Sequence, residues 1–305
     1  MQKGIQRLMV FICALVMMCT GPVMEGAFAE MNQLPWDFSG GMPLDKEGFK
    51  GSGMYGDSTI QVQILKGTYP RGAELPCDYW VAMIRISHPS QLRTAAANGF
   101  NSTQVIRGRV LAKRVNAVVA INGDYFWYTN HGYIVRQGQE FLNDLRGDRD
   151  VLLIDEDGDF HTVYNAYSGD VGSTVNGKKV MQALYFGPVL LENGKMIRNM
   201  DLRYDMRAEE RRQRMCLAQI GPLQYMCVCC AGPARNNSGM NLTEFARLVY
   251  EIGKQSNLNI QVAYNMDGGD STMLIFNGER INDPTDTRDR EIADIVYFAS
   301  AQGAK

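Results

Sequence analysis

The chain has 305 residues, 45% of them hydrophobic, and a formal net charge of −2. That length and apolar content suffice for a sizeable core, in one large domain or two closely joined ones. The near-neutral balance gives no electrostatic case for nucleic acid or an anionic membrane surface as a partner.

Lys3 and Arg7 precede eleven uninterrupted apolar residues, Leu8 to Met18, and "GPVMEGAFAE" (21–30) follows. A charged start, an apolar stretch and an Ala27-Phe28-Ala29 cleavage site read as a secretory signal over residues 1–29, with Glu30 as the mature N-terminus. Eleven residues cannot cross a bilayer core that takes ~20 in a helix, so no stable span is expected after cleavage. A retained N-terminal anchor is the alternative. Cys19 is a poor lipidation site because Met18 stands where a small residue is expected. Removing Lys3, Arg7 and Glu25 takes the formal charge from −2 to −3 and leaves Cys77, Cys216, Cys227, Cys229 and Cys230. An odd number argues against a disulfide framework. In "YMCVCC" (225–230) strand alternation puts Cys227 and Cys229 on one face and Cys230 on the other, with no Cys-x-x-Cys pair or His nearby. Buried free thiols are expected, and no metal or other cofactor.

Residues 30–58 are rich in Gly, Pro, Ser and Asp and read as a linker or loosely packed arm, with the domain running over 59–305. "DEDGDF", "TVNGKK", "LENGKM" and "IFNGER" each set Asp-Gly or Asn-Gly between apolar runs, a strong hairpin signal. "DEDGD" lacks the spaced carboxylates and closing Glu of an EF-hand loop, so a turn is the better reading. One helix is expected from about Ser102-Thr103 to Val115. A second follows the cap pair Asn241 and Glu244, carries Leu242, Phe245, Leu248, Val249 and Ile252 at helical spacing, and ends at Gly253. Many hairpins with a few helices give an α+β fold with mixed sheets.

Each helix leads into an apolar strand that ends in an Asn-x-Asp corner. "AVVAINGDYF" (117–126) and "IQVAYNMDGGDSTMLIF" (260–276) match at Val119/Val262, Ala120/Ala263, Asn122/Asn265 and Asp124/Asp267. Residues two apart on an extended segment point the same way. If the units sit side by side, two carboxylates and two amides reach one rim. Gly123, Gly268 and Gly269 would let backbone N–H groups approach an anionic ligand. Paired carboxylates in a polar pocket are the equipment of glycosidic cleavage. The plain alternative is a pair of Asx-turns, the better reading for one corner alone; two matched corners favour a site.

Other chemistries have less behind them. His88, His131 and His161 show no metal-ligand spacing, and there is no Gly-x-Ser-x-Gly elbow or P-loop. "RYDMRAEERRQRM" (203–215) holds five Arg, by default a solvated face, though any of them could bind phosphate through two parallel hydrogen bonds.

"AINGDYF", "FGPVLLENGK", "RMCLAQ", "SGMNLTEFARLVYEIG", "AYNMDGGDSTM" and "RDREIADIVYF" occur in an order that resembles the phosphodiester glycosidase family, over roughly residues 100 to 300. The resemblance is to its bacterial, exported branch, so the sequons at Asn101, Asn236 and Asn241 carry no weight. It implies an α+β fold whose Asn-Gly, Asp-Gly-Gly and Arg motifs converge on one pocket. It also implies hydrolysis between a sugar's anomeric carbon and a phosphodiester, as in an N-acetylglucosamine-1-phosphodiester. Arg214 is kept in Arg-Met-Cys-Leu-Ala where the family often has Arg-Thr-Ala-Ile-Gly. Asp124 and Asp270 stand where many members have Gly, while Asp267-Gly268-Gly269 and Arg290 are intact.

On that resemblance Asp267 is expected as the nucleophile or base and Asp124 as the second carboxylate. Arg214 and Arg290 would clamp phosphate and Asn122 and Asn265 position it, with Gly123, Gly268, Gly269, Asp270 and Ser271 lining the substrate. The implied partner is a sugar phosphodiester or phosphate-linked glycan outside the cell or in its envelope. The alternative function is an envelope module that binds glycan without cutting it, which a pocket lined by Tyr125, Phe126, Trp127 and Tyr128 would favour.

Overall fold

The apolar run Ala117–Asn122 is unbroken because both faces of its strand are covered. Val119 and Ile121 enter the main core, while Ala120 faces a second core beneath helix α1 (Gly108–Arg114), with Leu111 and Val115. The neighbouring strand Asp294–Ala299 divides likewise: Val296 and Phe298 on one side, Ile295 and Tyr297 on the other. Successive strand residues point to opposite faces, so a fully apolar strand marks burial on two sides.

The computed structural model describes residues 32–69, 76–126, 130–198, 207–234, 236–283 and 289–304. The expected signal 1–29, Trp127 and Tyr128 lie outside them. Among these residues the strands form nine-, six- and five-stranded sheets and a small two-stranded one. In the nine-stranded sheet Cys77–Ile86, Gln224–Cys230, Arg214–Gly221 and Val262–Met266 are successive neighbours. In the five-stranded sheet Ala117–Asn122 lies between Leu274–Phe276 and Asp294–Ala299. The main core draws on all three large sheets and includes Val81, Leu217, Leu152, Leu184, Val119 and Phe298.

Each Asn-Gly turn joins antiparallel strands with both residues at positive φ: Asn176 and Gly177, Asn193 and Gly194, Asn277 and Gly278. That is the type I′ geometry whose twist matches the strands it links. At the Asp-Gly turn Asp155 Oδ1 accepts from the Asp157 and Asp159 amides at 3.0 and 2.9 Å. Helix α2 (Leu242–Gln255) starts on a reciprocal cap: Glu244 N donates to Asn241 Oδ1 at 2.9 Å and Asn241 N to Glu244 Oε2 at 3.1 Å. Gly253 lies inside the helix rather than ending it. A Cβ there would meet Ile260 Cδ1 at 2.7 Å, so the glycine serves packing.

Other expectations fail for identifiable reasons. The first helix begins at Gly108, because Ile106–Arg107 pairs as a strand with Glu291–Ile292 and Ser102 Oγ accepts from Gln104 N in a local turn. The sheets are not mixed: every named strand pair among the described residues is antiparallel, whether its strands follow one another in the chain, as Arg214–Gly221 and Gln224–Cys230 do, or are far apart in it, as Ala117–Asn122 and Asp294–Ala299 are. Parts of the segment expected as a linker or loosely packed arm join the folded body. Leu34 is buried in the second core, and Phe49–Lys50 and Met54–Gly56 extend the nine-stranded sheet. Cys77, Cys216, Cys227, Cys229 and Cys230 are buried, and none forms a disulfide among the described residues. Burial pushes the Cys216 thiol up to about 12, which keeps it from the reactive thiolate form. No helix among the described residues is long and apolar enough to cross a membrane.

Candidate active site

The two corners meet, though their strands belong to different sheets and are not neighbours. Asn122, at the end of its strand, makes the junction. Its Nδ2 donates to the Asp267 carbonyl at 2.8 Å, and its Oδ1 accepts from Met273 N at 3.2 Å. The Asn122 amide is therefore spent on holding the second corner and does not line the cavity beside it.

That cavity has a volume of ≈ 390 Å³, and its floor is the run from Asp267 to Ser271. Asp267 is partly buried; its Oδ1 accepts from Gly268 N at 2.8 Å, and the Ser271 hydroxyl also bonds to it. Burial pushes the carboxyl up from 3.8 to about 6, against the pull of Ser271, Arg290 and the Gly268 amide; Asp124 behind it pushes the same way as burial. A carboxyl titrating near 6 can take or give a proton close to neutral pH.

Arg207, Arg212, Arg214 and Arg290 line the same cavity. Arg212 donates to Glu210 at 2.7 Å, and Arg207 approaches Glu210 at 3.9 Å. Arg214 is buried, with its Nε on the Met240 carbonyl at 3.2 Å and its Nη2 on the Arg207 and Glu210 carbonyls at 2.8 Å each. Its position as a phosphate clamp is thus shared with a structural task, fixing the loop that carries Arg207 and Glu210. Arg290 is exposed, lies near enough to Asp267 to pull on its proton, and makes no ion pair among the described residues. It is the cation best placed to receive an anionic ligand.

The glycines of Asp-Gly-Gly work differently from expectation. Gly268 N is taken by Asp267, and Gly269 N donates to the Gln213 carbonyl at 2.9 Å, so neither amide is open to a ligand. A Cβ on Gly268 would lie 2.9 Å from Gln213 O, and Gly269 sits at φ +59°. Close approach to the neighbouring strand and a left-handed turn are what require glycine here.

Asp124 does not face the cavity. It is fully buried, with Oδ1 accepting from Arg136 Nη2 at 2.8 Å and Oδ2 from Tyr185 N at 2.8 Å. The Arg136 guanidinium also donates to the Val135 and Ala183 carbonyls. A third carboxyl, Asp294, is buried beside this pair, its Oδ2 3.7 Å from Arg136 Nη2 and without a hydrogen bond. Burial first, then the Asp124 carboxylate, pushes Asp294 well above the usual carboxylate range, with Arg136 pulling the other way. Gly123 exists for this carboxyl rather than for substrate: a Cβ on it would fall 2.1–2.2 Å from the Asp294 carboxyl atoms. Asn265 is likewise structural, its Nδ2 donating to the Gly187 carbonyl at 2.6 Å. Of the expected site residues, Asp267, Gly268, Gly269, Asp270, Ser271, Arg214 and Arg290 line the cavity, while Asn122, Gly123, Asp124 and Asn265 support it from behind.

Sequence reasoning missed Asp294, Arg136 and Phe186. The last shares the cavity wall with Tyr125, which is held at φ +64°. Asp294 carries a signal in principle, a charged residue opening an otherwise fully apolar strand. Among the described residues no group of three or more His, Cys, Asp or Glu is arranged to hold a metal ion.

A family model described as phosphodiester glycosidase matches residues 115–299, which include every residue of this site. The chain belongs to the phosphodiester glycosidase family. The fold of this glycosidase-family chain is similar to the zebrafish N-acetylglucosamine-1-phosphodiester alpha-N-acetylglucosaminidase catalytic domain auto-inhibited by pro-peptide. The TM-score is 0.65 at 18% identity, over 83% of this chain and 86% of that one. It is also similar to a hypothetical protein from Synechocystis, with a TM-score of 0.50 at 15% identity over 79% of this chain and 62% of the other. No curated protein sequence matches the chain.

Proposed function

We propose that this protein is an exported hydrolase that cleaves the bond between the anomeric carbon of a sugar, of the N-acetylglucosamine kind, and a phosphodiester. The observation that carries the reading is a carboxyl raised to about 6, Asp267, on the wall of a cavity that also holds Arg290, which makes no ion pair among the described residues. Family membership supports the class of reaction. The charged start, apolar run and Ala27-Phe28-Ala29 support export.

Asp267 acts as general base, taking a proton from water as the oxygen attacks the anomeric carbon. The carbon–oxygen bond to phosphorus breaks and its electron pair leaves with the phosphate. The products are free sugar and a phosphomonoester, and Asp267 returns its proton to solvent. A phosphate is a good leaving group, so no acid need protonate it and a second carboxylate is dispensable. The buried Asp124 is therefore no obstacle. What the departing anion needs is fixed positive charge, and Arg290, backed by Arg212 and Arg214, supplies it in a partly desolvated site.

The test is release of free sugar from a panel of sugar 1-phosphodiesters. Wild-type protein should release it, and Asp267→Asn should lose ~10²-fold or more of the rate with folding retained, the usual loss for a general base. Equal rates in the two proteins would remove Asp267 from the chemistry.

A further inference from the structure

Phe38 is 47% exposed, yet the turn that carries it is held firmly. The Arg93 guanidinium, fully buried, donates to the carbonyls of Pro35 at 2.9 Å, Asp37 at 2.6 Å and Ser90 at 3.0 Å. Asp37 Oδ1 accepts from Ser39 N at 2.9 Å and closes the turn. Burying a guanidinium is costly unless its donors are paired, so this is a built element that displays an aromatic ring to water. The Phe38 ring lies 5.7 Å from Phe100 and 6.1 Å from Phe141, centre to centre. The three rings border a cavity of ≈ 590 Å³, within the usual range for a small-molecule site. Asn98, Asn101 and Gln139 stand on the same wall, exposed, and their side-chain amides make no hydrogen bond among the described residues.

We propose that this groove is a carbohydrate subsite, taking a pyranose ring of an oligosaccharide with its C–H face on Phe38 and its hydroxyls on the three amides. The sugar class rests on the glycosidase reading above. Each unspent amide offers donors and an acceptor, as neighbouring hydroxyls do, whereas a lipid tail would leave all of them unpaired. Arg114 is the only charged residue on the wall among the described residues, which argues against an anion as the main ligand. The groove and the candidate active site also draw on neighbouring residues of one segment. Phe100 and Phe141 border a further concavity with Phe126, and the preceding residue, Tyr125, lines the cavity of Asp267. A single segment thus sets one aromatic toward each hollow, and a sugar chain with its anomeric end at Asp267 has further aromatic surface to occupy. The substrate is then an oligosaccharide or glycopolymer rather than a lone sugar phosphodiester.

Calorimetric titration of the Asp267→Asn protein with tri-N-acetylchitotriose, cellotriose and mannotriose, and with decanoate as an apolar control, tests this without turnover. At least one trisaccharide should bind. Adding Phe38→Ala should weaken it roughly tenfold, the factor that 1.4 kcal/mol represents, and Phe38→Tyr, which keeps the ring, should restore it. In the otherwise wild-type protein, Phe38→Ala should leave hydrolysis of a small sugar 1-phosphodiester unchanged. No trisaccharide binding, binding indifferent to Phe38→Ala, or decanoate bound in preference would overturn the proposal. Trisaccharide binding that depends on Phe38, in a protein that hydrolyses no phosphodiester, would sink the enzymatic reading and leave the subsite standing.

Discussion

Replacing Asp267 with Asn should make the protein more stable at neutral pH while it becomes inactive. The carboxyl is raised from 3.8 to about 6 mainly by burial, and each tenfold change in proton affinity is worth about 1.36 kcal/mol. Between those values the native state holds a proton that the unfolded chain has released. Stability from this group is therefore complete below pH 4 and is lost as pH rises through about 6. Above pH 7 the ionised carboxylate costs the fold about 3 kcal/mol, and an Asn of the same shape, standing in for the protonated acid, never incurs it. For a chain of this size that is about 5–10 °C in midpoint temperature. Scanning calorimetry of both proteins from pH 4 to pH 8 reads the effect. The midpoints should be close at pH 4 and separate as pH rises, with the mutant higher. A constant gap across that range, or a mutant that is less stable at pH 8, would refute the desolvated-carboxyl reasoning.

Arg290→Gln removes a cation that pulls Asp267 down, so the rising limb of the pH–rate profile should move to higher pH. Its kcat/KM should fall ~10- to 100-fold, the worth of a charge-assisted hydrogen bond, and an unshifted limb would mean the two side chains do not act together. Gly123→Ala forces a methyl into the Asp294 carboxyl and should cost ~1–3 kcal/mol or more of stability, read by denaturant unfolding. An unchanged midpoint would mean that Asp294 can move away freely. Asn122→Ala strands the Met273 N–H and the Asp267 carbonyl, at ~1–3 kcal/mol each when buried. It should lower stability and turnover together, and a stable, fully active variant would show that the corners are held some other way.

The parts of this fold legible in the sequence are those decided locally. Asn176-Gly177, Asn193-Gly194 and Asn277-Gly278 declare their turns because few other pairs tolerate two positive φ values in succession. Asn241 and Glu244 declare helix α2 because each caps the other. Asp267 was legible as the candidate carboxyl for the same reason, since Asp-Gly-Gly fixes its own corner. Asp124 looks equivalent in one dimension, and only the partner twelve residues on, Arg136, shows that its charge is consumed inside the protein. The matched strands ending in Asn122 and Asn265 implied neighbours in one sheet. Sequence likeness cannot say which sheet a strand joins, and the hydrogen bond that ties the first corner to the second comes from one amide side chain, that of Asn122. Asp294 escaped notice because its burial depends on a strand, a glycine and an arginine that are far apart in the chain. In the arginine-rich run 203–215, Arg214 opens its strand and was expected at the site, but only the geometry of the segment before it shows that Arg207 and Arg212 also line the cavity.

Cleavage in oxygen-18 water, with mass spectrometry of both products, bears most directly on the claim that Asp267 and Arg290 carry out attack at the anomeric carbon. The label should appear in the free sugar and be absent from the phosphomonoester. Label in the phosphomonoester would mean attack at phosphorus, and the glycosidase account of this cavity would fall.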